Sequence, residues 1–165
     1  METKKILILG GNGKTGRRVA QLLTKESDVE VRLGSRSGTP SFDWEKPETW
    51  LEVIKGIDTV YITFQPDLAI PSAHETIRQF TALAAQNRVN KMVLLSGRGE
   101  KEAQVCEEIV KATAQKWTIV RASWFNQNFS ESLFLEPVLA GFVALPKANI
   151  PEPFTDAVAG LNVYV

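Results

Sequence analysis

The sequence predicts an α/β fold, a doubly wound parallel sheet of the Rossmann type with helices on both faces. Three observations carry this. Short apolar or β-branched runs alternate with amphipathic stretches along most of the chain, the rhythm of strand–helix–strand units in a parallel sheet. The first run, 6–9, is continuously apolar, as a strand buried on both faces requires. It leads directly into Gly10-Gly11-Asn12-Gly13-Lys14-Thr15-Gly16, whose glycines stand three and three apart, before a helical pattern begins.

The elements follow in order. After the loop, Val19, Leu22 and Leu23 form an apolar stripe, with Arg17, Arg18, Lys25 and Glu26 on the polar side, an amphipathic helix. A second strand spans 29–33 and stops at Gly34-Ser35-Arg36-Ser37-Gly38. Residues 41–44 are expected to form a short third strand. Lys46-Pro47-Glu48-Thr49-Trp50 opens a short helix running to about residue 55, and Gly56 stops it. The β-branched and aromatic run 58–64 is the fourth expected strand. A long helix over 72–87, a strand at 92–95 ending in Ser96-Gly97-Arg98-Gly99, a helix over 100–115 and a strand at 117–120 complete the alternation. Beyond residue 120 the rhythm changes. Residues 121–128 are polar and aromatic, 133–139 are expected as a short helix and 142–145 as a short strand, and Pro146, Pro151 and Pro153 then break regular structure. Residues 157–165 are too few for a helix–strand pair. The chain reads as one domain over 1–165, with 121–165 the start of an incomplete substrate-side lobe.

The chain has 165 residues, enough to bury one core. Its 19 basic and 19 acidic residues cancel, so no global field points to nucleic acid or a membrane surface. No apolar run reaches membrane-spanning length. A single cysteine, Cys106, has no internal disulfide partner and fits a reducing compartment. A soluble, cytoplasmic protein is expected, and its oligomeric state is left open.

The glycine loop carries the chemistry. A tight turn after the first strand needs glycine for its backbone angles. A second glycine lets the backbone approach a pyrophosphate, and a third lets helix and strand pack closely. The helix N-terminus then offers free N–H groups and a positive dipole end to phosphates. A nucleotide-triphosphate loop is excluded, because no glycine stands five residues before Gly13-Lys14-Thr15. The end of the second strand selects the cofactor. An acidic residue there would bind the ribose 2′-hydroxyl of NAD, whereas an arginine accommodates the 2′-phosphate of NADP. Gly34-Ser35-Arg36-Ser37 contains no acid. Arg36 can pair bidentately with a phosphate and both serines can donate to it. Lys14 is a further cation for the same pocket. NADP is favoured, with NAD as the alternative.

With these features in place, the chain resembles the NmrA-like group of atypical short-chain dehydrogenases, particularly agroclavine dehydrogenase-like and NAD(P)H-quinone oxidoreductase-like members. GGNGKTG at 10–16, GSRSG at 34–38, FDW at 42–44, VLLSG at 93–97 and TIVRASWFNQNF at 118–129 carry the resemblance, which covers roughly residues 4–156. It implies that Gly10, Asn12, Gly13, Thr15 and Gly16 form the phosphate loop and that Ser35 and Arg36 surround the 2′-phosphate. It places Asp43 near the adenine amino group. Thr63, Phe64 and Gln65 become the wall beside the ribose and nicotinamide, and Ser96 faces the nicotinamide end. It also implies that relatives continue past residue 156 into a larger substrate lobe, so that this chain is C-terminally truncated.

The sequence departs from a standard dehydrogenase in one respect. Neither Tyr61 nor Tyr164 begins a Tyr-x-x-x-Lys run. Glu107-x-x-x-Lys111 has that spacing but reads as a surface ion pair. Ser96 is the single catalytic candidate, and its alternative reading is a strand-end serine capping the next helix. His74 reads as a solvated or cap-region residue, and Cys106 as a helix residue facing the sheet. No set of residues has metal-ligand spacing. Trp44, Trp50 and Trp117 are expected in the core or its rim, whereas the resemblance puts Trp124 on the substrate side. Two functions remain: an NADPH-dependent oxidoreductase acting on a small carbonyl, imine or quinone-like acceptor, and a non-catalytic NADP(H) sensor that works through a regulatory protein partner. A degenerate fold that binds nothing is the third reading.

Overall fold

The computed structural model describes residues 3–132, 134–144, 151 and 153–158. Strand β1 (Lys4–Leu9) leads through the glycine loop into α1 (Gly16–Leu23) and β2 (Val29–Gly34). A 3-10 turn at Pro47–Thr49 precedes α2 (Trp50–Ile54). Then come β3 (Thr59–Ile62), α3 (Ala73–Gln86), β4 (Lys91–Gly97), α4 (Lys101–Thr113) and β5 (Lys116–Ala122). The five strands form one parallel sheet in the order β2-β1-β3-β4-β5. Strand order therefore reverses between β1 and β3, and the crevice outside their carboxyl ends is where such sheets bind ligands.

Alternation along β1 explains how the sheet is covered. Leu7 and Leu9 join a core with Trp50, Val53, Phe80, Cys106 and Val110, so α2, α3 and α4 pack on one face. Ile6 and Ile8 point to the other face, where they meet Val19, Ala20, Tyr61 and Val93 beneath α1. Helices thus lie on both faces, as expected, but unequally. On the α1 side Leu95 and Val120 are only half buried.

Residues 41–44 form a loop, not the expected third strand. Their backbone groups are tied to side chains instead of a strand ladder: the Asp43 N–H donates to Thr49 Oγ1 at 3.1 Å, and the Asp43 carbonyl accepts from Trp50 Nε1 at 2.7 Å. Phe42 is thereby driven into the core, edge-on to Trp44 and Phe80. The run expected as the fourth strand is consequently the third.

Past β5 the chain makes β6 (Trp124–Phe125), a 3-10 turn at Asn126–Asn128, α5 (Leu135–Leu139) and β7 (Phe154–Thr155). β6 and β7 pair in parallel as a small second sheet that the sequence reading lacked. The strand expected at 142–145 is absent over 142–144. The Gly141 and Phe142 N–H groups close the end of α5 instead, on the Val138 and Pro137 carbonyls, with Gly141 at φ +72°. Residues 133, 145 and 146 and the terminal 159–165 lie outside the described residues. Among those described, no helix is long and apolar enough to cross a membrane.

Candidate functional site

The glycine loop sits at the switch point, and each outer glycine has its own reason. Gly10 adopts φ +65°, a left-handed conformation that favours glycine, and a Cβ there would collide with the Thr63 hydroxyl. That hydroxyl donates to the Leu9 carbonyl at 2.9 Å, which joins the ends of β1 and β3. The Gly13 N–H donates to the Gly10 carbonyl at 2.8 Å and closes the turn. Gly16 opens α1 directly against Gly10, where any Cβ would lie 2.8 Å from the Gly10 carbonyl carbon. Thr15, in the cap position, makes no side-chain cap bond, and the first turn of α1 contains no acidic residue. The positive end of the helix is left for an external anion.

Beside the loop lies a cavity of about 780 Å³, within the range of small-molecule sites. Of the residues singled out from sequence, Gly10, Asn12, Gly13, Ser35, Arg36, Asp43, Thr63 and Gln65 line it. The turn after β2 is held by its own backbone. The Gly38 and Phe42 N–H groups both donate to the Ser35 carbonyl, at 3.1 and 2.8 Å, and the side chains of Ser35, Arg36 and Ser37 reach the cavity wall. Arg36 is exposed, and among the described residues no carboxylate is paired with it.

Other residues are placed elsewhere. Thr15 and Gly16 support the loop from below. The Phe64 ring packs on Trp44 at 5.0 Å. Lys14 turns away from the cavity, its ammonium donating to Asn128 Oδ1 and to Ser132 Oγ at 2.9 Å, so the structure does not bring it to Arg36. The wall also includes Trp44, Glu45 and Pro66, which sequence reasoning did not assign to the site. Trp44 was expected in the core or its rim, and it serves both purposes. Its ring contacts Phe42 and Phe80, and its Nε1 donates to the Thr63 carbonyl at 3.1 Å beside the cavity.

Ser96 ends β4 with only 4% exposure. Its hydroxyl donates to Glu107 Oε1 at 2.6 Å, and Arg121 grips the same carboxylate through Nε at 2.9 Å and Nη2 at 2.5 Å. The expected surface pair of Glu107 with Lys111 is therefore corrected. Glu107 is fully buried, while Lys111 pairs with Glu108 at 2.7 Å and lies over the Trp117 ring. The Arg121 guanidinium holds the Glu107 carboxyl below the usual carboxylate range, outweighing burial. An ionised Glu107 keeps the Ser96 proton engaged, and Ser96, expected to face the nicotinamide end, is not among the residues that line the cavity.

The remaining candidates do not converge on the cavity. Tyr61 belongs to the core beneath α1, where burial pushes its pKa up to about 12. Burial likewise pushes the Cys106 thiol up to about 11. His74 Nε2 lies 2.7 Å from Glu102 Oε2 and joins the first turns of α3 and α4. Among the described residues no group of histidine, cysteine or carboxylate side chains could hold a metal ion.

No family model matches the chain. It is 30% identical over 140 residues to agroclavine dehydrogenase of Claviceps fusiformis, covering 76% of this chain and 48% of that protein. Over that stretch the chain is similar to the clavine dehydrogenases. This agrees with the expected kinship to NmrA-like atypical short-chain dehydrogenases. Prestalk A differentiation protein A of Dictyostelium discoideum is 26% identical over 157 residues, 86% of this chain and 52% of that one. The chain thus spans about half the length of the curated relatives it matches. A nucleoside-diphosphate-sugar epimerase from Staphylococcus aureus superposes with a TM-score of 0.76 at 15% identity, over 95% of this chain and 63% of its own. A Citrobacter sp. triphenylmethane reductase complexed with NADP(H) gives 0.61 at 15% identity, over 76% and 51%. These likenesses show that the chain has the Rossmann fold.

Proposed function

We propose that the chain is the NADP(H)-binding part of an NmrA-like oxidoreductase that reduces a small carbonyl, imine or quinone-like acceptor. The observation that carries this is Arg36, an exposed guanidinium without an ion-pair partner among the described residues, on the wall of a cavity that begins at the glycine loop. A 2′-phosphate fits that guanidinium and the flanking Ser35 and Ser37 hydroxyls. The pyrophosphate fits the loop, where a Cβ at Gly10 or Gly16 would fill the space. Asp43 and Trp44 offer a carboxylate and a ring edge to the adenine end. When bound, the nicotinamide supplies the hydride chemistry. Thr63 and Gln65 form the wall beside it, whereas the buried Ser96, its proton held by Glu107, is assigned to the nicotinamide end by the resemblance alone. The kinship with dehydrogenases supports the reading, and a cytoplasmic location would fit the single buried thiol.

A second reading, a non-catalytic NADP(H) sensor acting through a protein partner, is favoured by the lack of a Tyr/Lys pair and by the engaged Ser96 proton. NADPH oxidation followed at 340 nm across a panel of quinones, aldehydes and cyclic imines separates the two. Turnover with at least one acceptor class is expected. Tight NADPH binding with no turnover in any class would replace the enzyme with the sensor.

A further inference from the structure

We infer that segment 126–132 is a clasp that couples dinucleotide occupancy of the glycine loop to the aromatic lobe around Trp124, with Glu131 as its positioning residue. The inference rests on the dinucleotide reading above and adds how the site is connected to the substrate side.

Three basic residues at the start of α1 set the pattern: Lys14, Arg17 and Arg18. A phosphate loop would be expected to turn such charges towards its ligand, yet all three are engaged by one segment more than a hundred positions away. Lys14 is held by Asn128 and Ser132. Arg17 and Arg18 both bind the Glu131 carboxylate, and Arg18 Nη1 makes a second contact to it at 3.1 Å. Isolated surface ion pairs contribute little. This one is a shared, charge-assisted network, with the Arg18 and Glu131 side chains only 15% and 27% exposed. Arg18 Nη1 also accepts no freedom from the loop itself: it donates to the Lys14 carbonyl at 2.8 Å. In a trans peptide the next N–H points the opposite way, so this contact fixes how the Thr15 N–H is presented.

The other side of the segment holds the lobe. Gln127 donates to Asp156 Oδ2 at 3.0 Å and accepts from the Ala157 N–H at 2.9 Å, anchoring the chain just after β7. Phe129 stacks on Phe134 at 5.2 Å, and Phe134 stacks on Trp124 at 5.4 Å. The contacts are continuous from the phosphate loop to Trp124. A ligand that reorders the Lys14–Thr15 peptide therefore acts on the lobe, and the coupling is reciprocal.

The test is 19F NMR of the full chain labelled with 5-fluorotryptophan, titrated with NADP⁺. The Trp44 and Trp124 resonances are assigned with Trp44→Phe and Trp124→Phe. Trp44 lines the cavity and reports occupancy, and Trp124 reports the lobe. In the native sequence both resonances should move together. In Glu131→Gln, and in Glu131→Gln combined with Ser132→Ala, the Trp44 resonance should still move, with the midpoint within about threefold of native, while the Trp124 resonance stays fixed. If Trp124 stays fixed in the native protein while Trp44 moves, or moves alike in native and variants, the clasp is refuted and the cofactor reading stands. If neither resonance moves in the native protein, both are refuted.

Discussion

Gly16 passes so close to Gly10 that a Cβ on Gly16 would lie 2.8 Å from the Gly10 carbonyl carbon and 3.1 Å from the Gly11 Cα. Both obstacles are backbone, so no side chain can rotate away. Gly16→Ala must therefore push α1 off the loop. A loss of about 1–3 kcal/mol is expected, the usual range for overpacking, seen as a Tm lower by roughly 3–10 °C. Affinity for NADP⁺ and NAD⁺ should fall together by tenfold or more, about 1.4 kcal/mol, because both share the pyrophosphate. Calorimetric titration and a thermal melt check both parts. A variant that melts and binds like the native protein would contradict the packing argument.

The buried Glu107 carboxylate gives a pH-dependent stability. Its pKa is lowered in the fold, first by the Arg121 hydrogen bonds and also by Ser96. A depressed carboxylate stabilises above its unfolded pKa, and that stability is lost as pH falls through the folded value. Glu107→Gln keeps the shape but removes the charge, and should cost about 1.5–3 kcal/mol at pH 7. The gap between native and variant should be complete at neutral pH and close below roughly pH 4. Denaturant melts of both proteins from pH 7 to pH 3 read it directly. A gap that does not change with pH would show that Glu107 contributes nothing as an ion.

Cys106 is buried in the core with its thiol pushed up to about 11. Thiolate is the reactive form. Native protein at pH 8 should react with Ellman's reagent at least tenfold more slowly than the same chain in denaturant. Fast labelling of the native form would mean that α4 opens readily from the sheet.

The core strands were readable from sequence, because continuous apolar runs such as 6–9 admit few other placements. The loop at 41–44 was not, since its fate depends on Thr49 and Trp50 capturing the Asp43 backbone, a choice that β propensity does not encode. The glycine loop was legible because the close approach of Gly10 and Gly16 demands glycine, and the Ser35–Arg36 turn was legible as a strand end that borders the cavity. Trp44 was seen as packing alone, for nothing in its spacing marks the side of the ring that meets the cavity. Glu107 left a signal that local pairing rules obscured. Ala103, Cys106, Glu107 and Val110 share the inward stripe of α4, so the partner had to come from the sheet, and Arg121 stands beside Ser96 in register. Lys14 gave no such sign. Its partners at 128 and 132 are known only once the chain is folded.

The proposal that Arg36 selects NADP(H) is tested most directly by isothermal titration of native protein and Arg36→Ala with NADP⁺ and NAD⁺. The native protein should bind NADP⁺ more tightly than NAD⁺. Losing a charge-assisted contact to the 2′-phosphate should weaken NADP⁺ by about 1.5–3 kcal/mol, roughly 10- to 150-fold. NAD⁺ affinity should change by less than about twofold. Equal losses for the two dinucleotides, or no binding of either by the native protein, would contradict the site described.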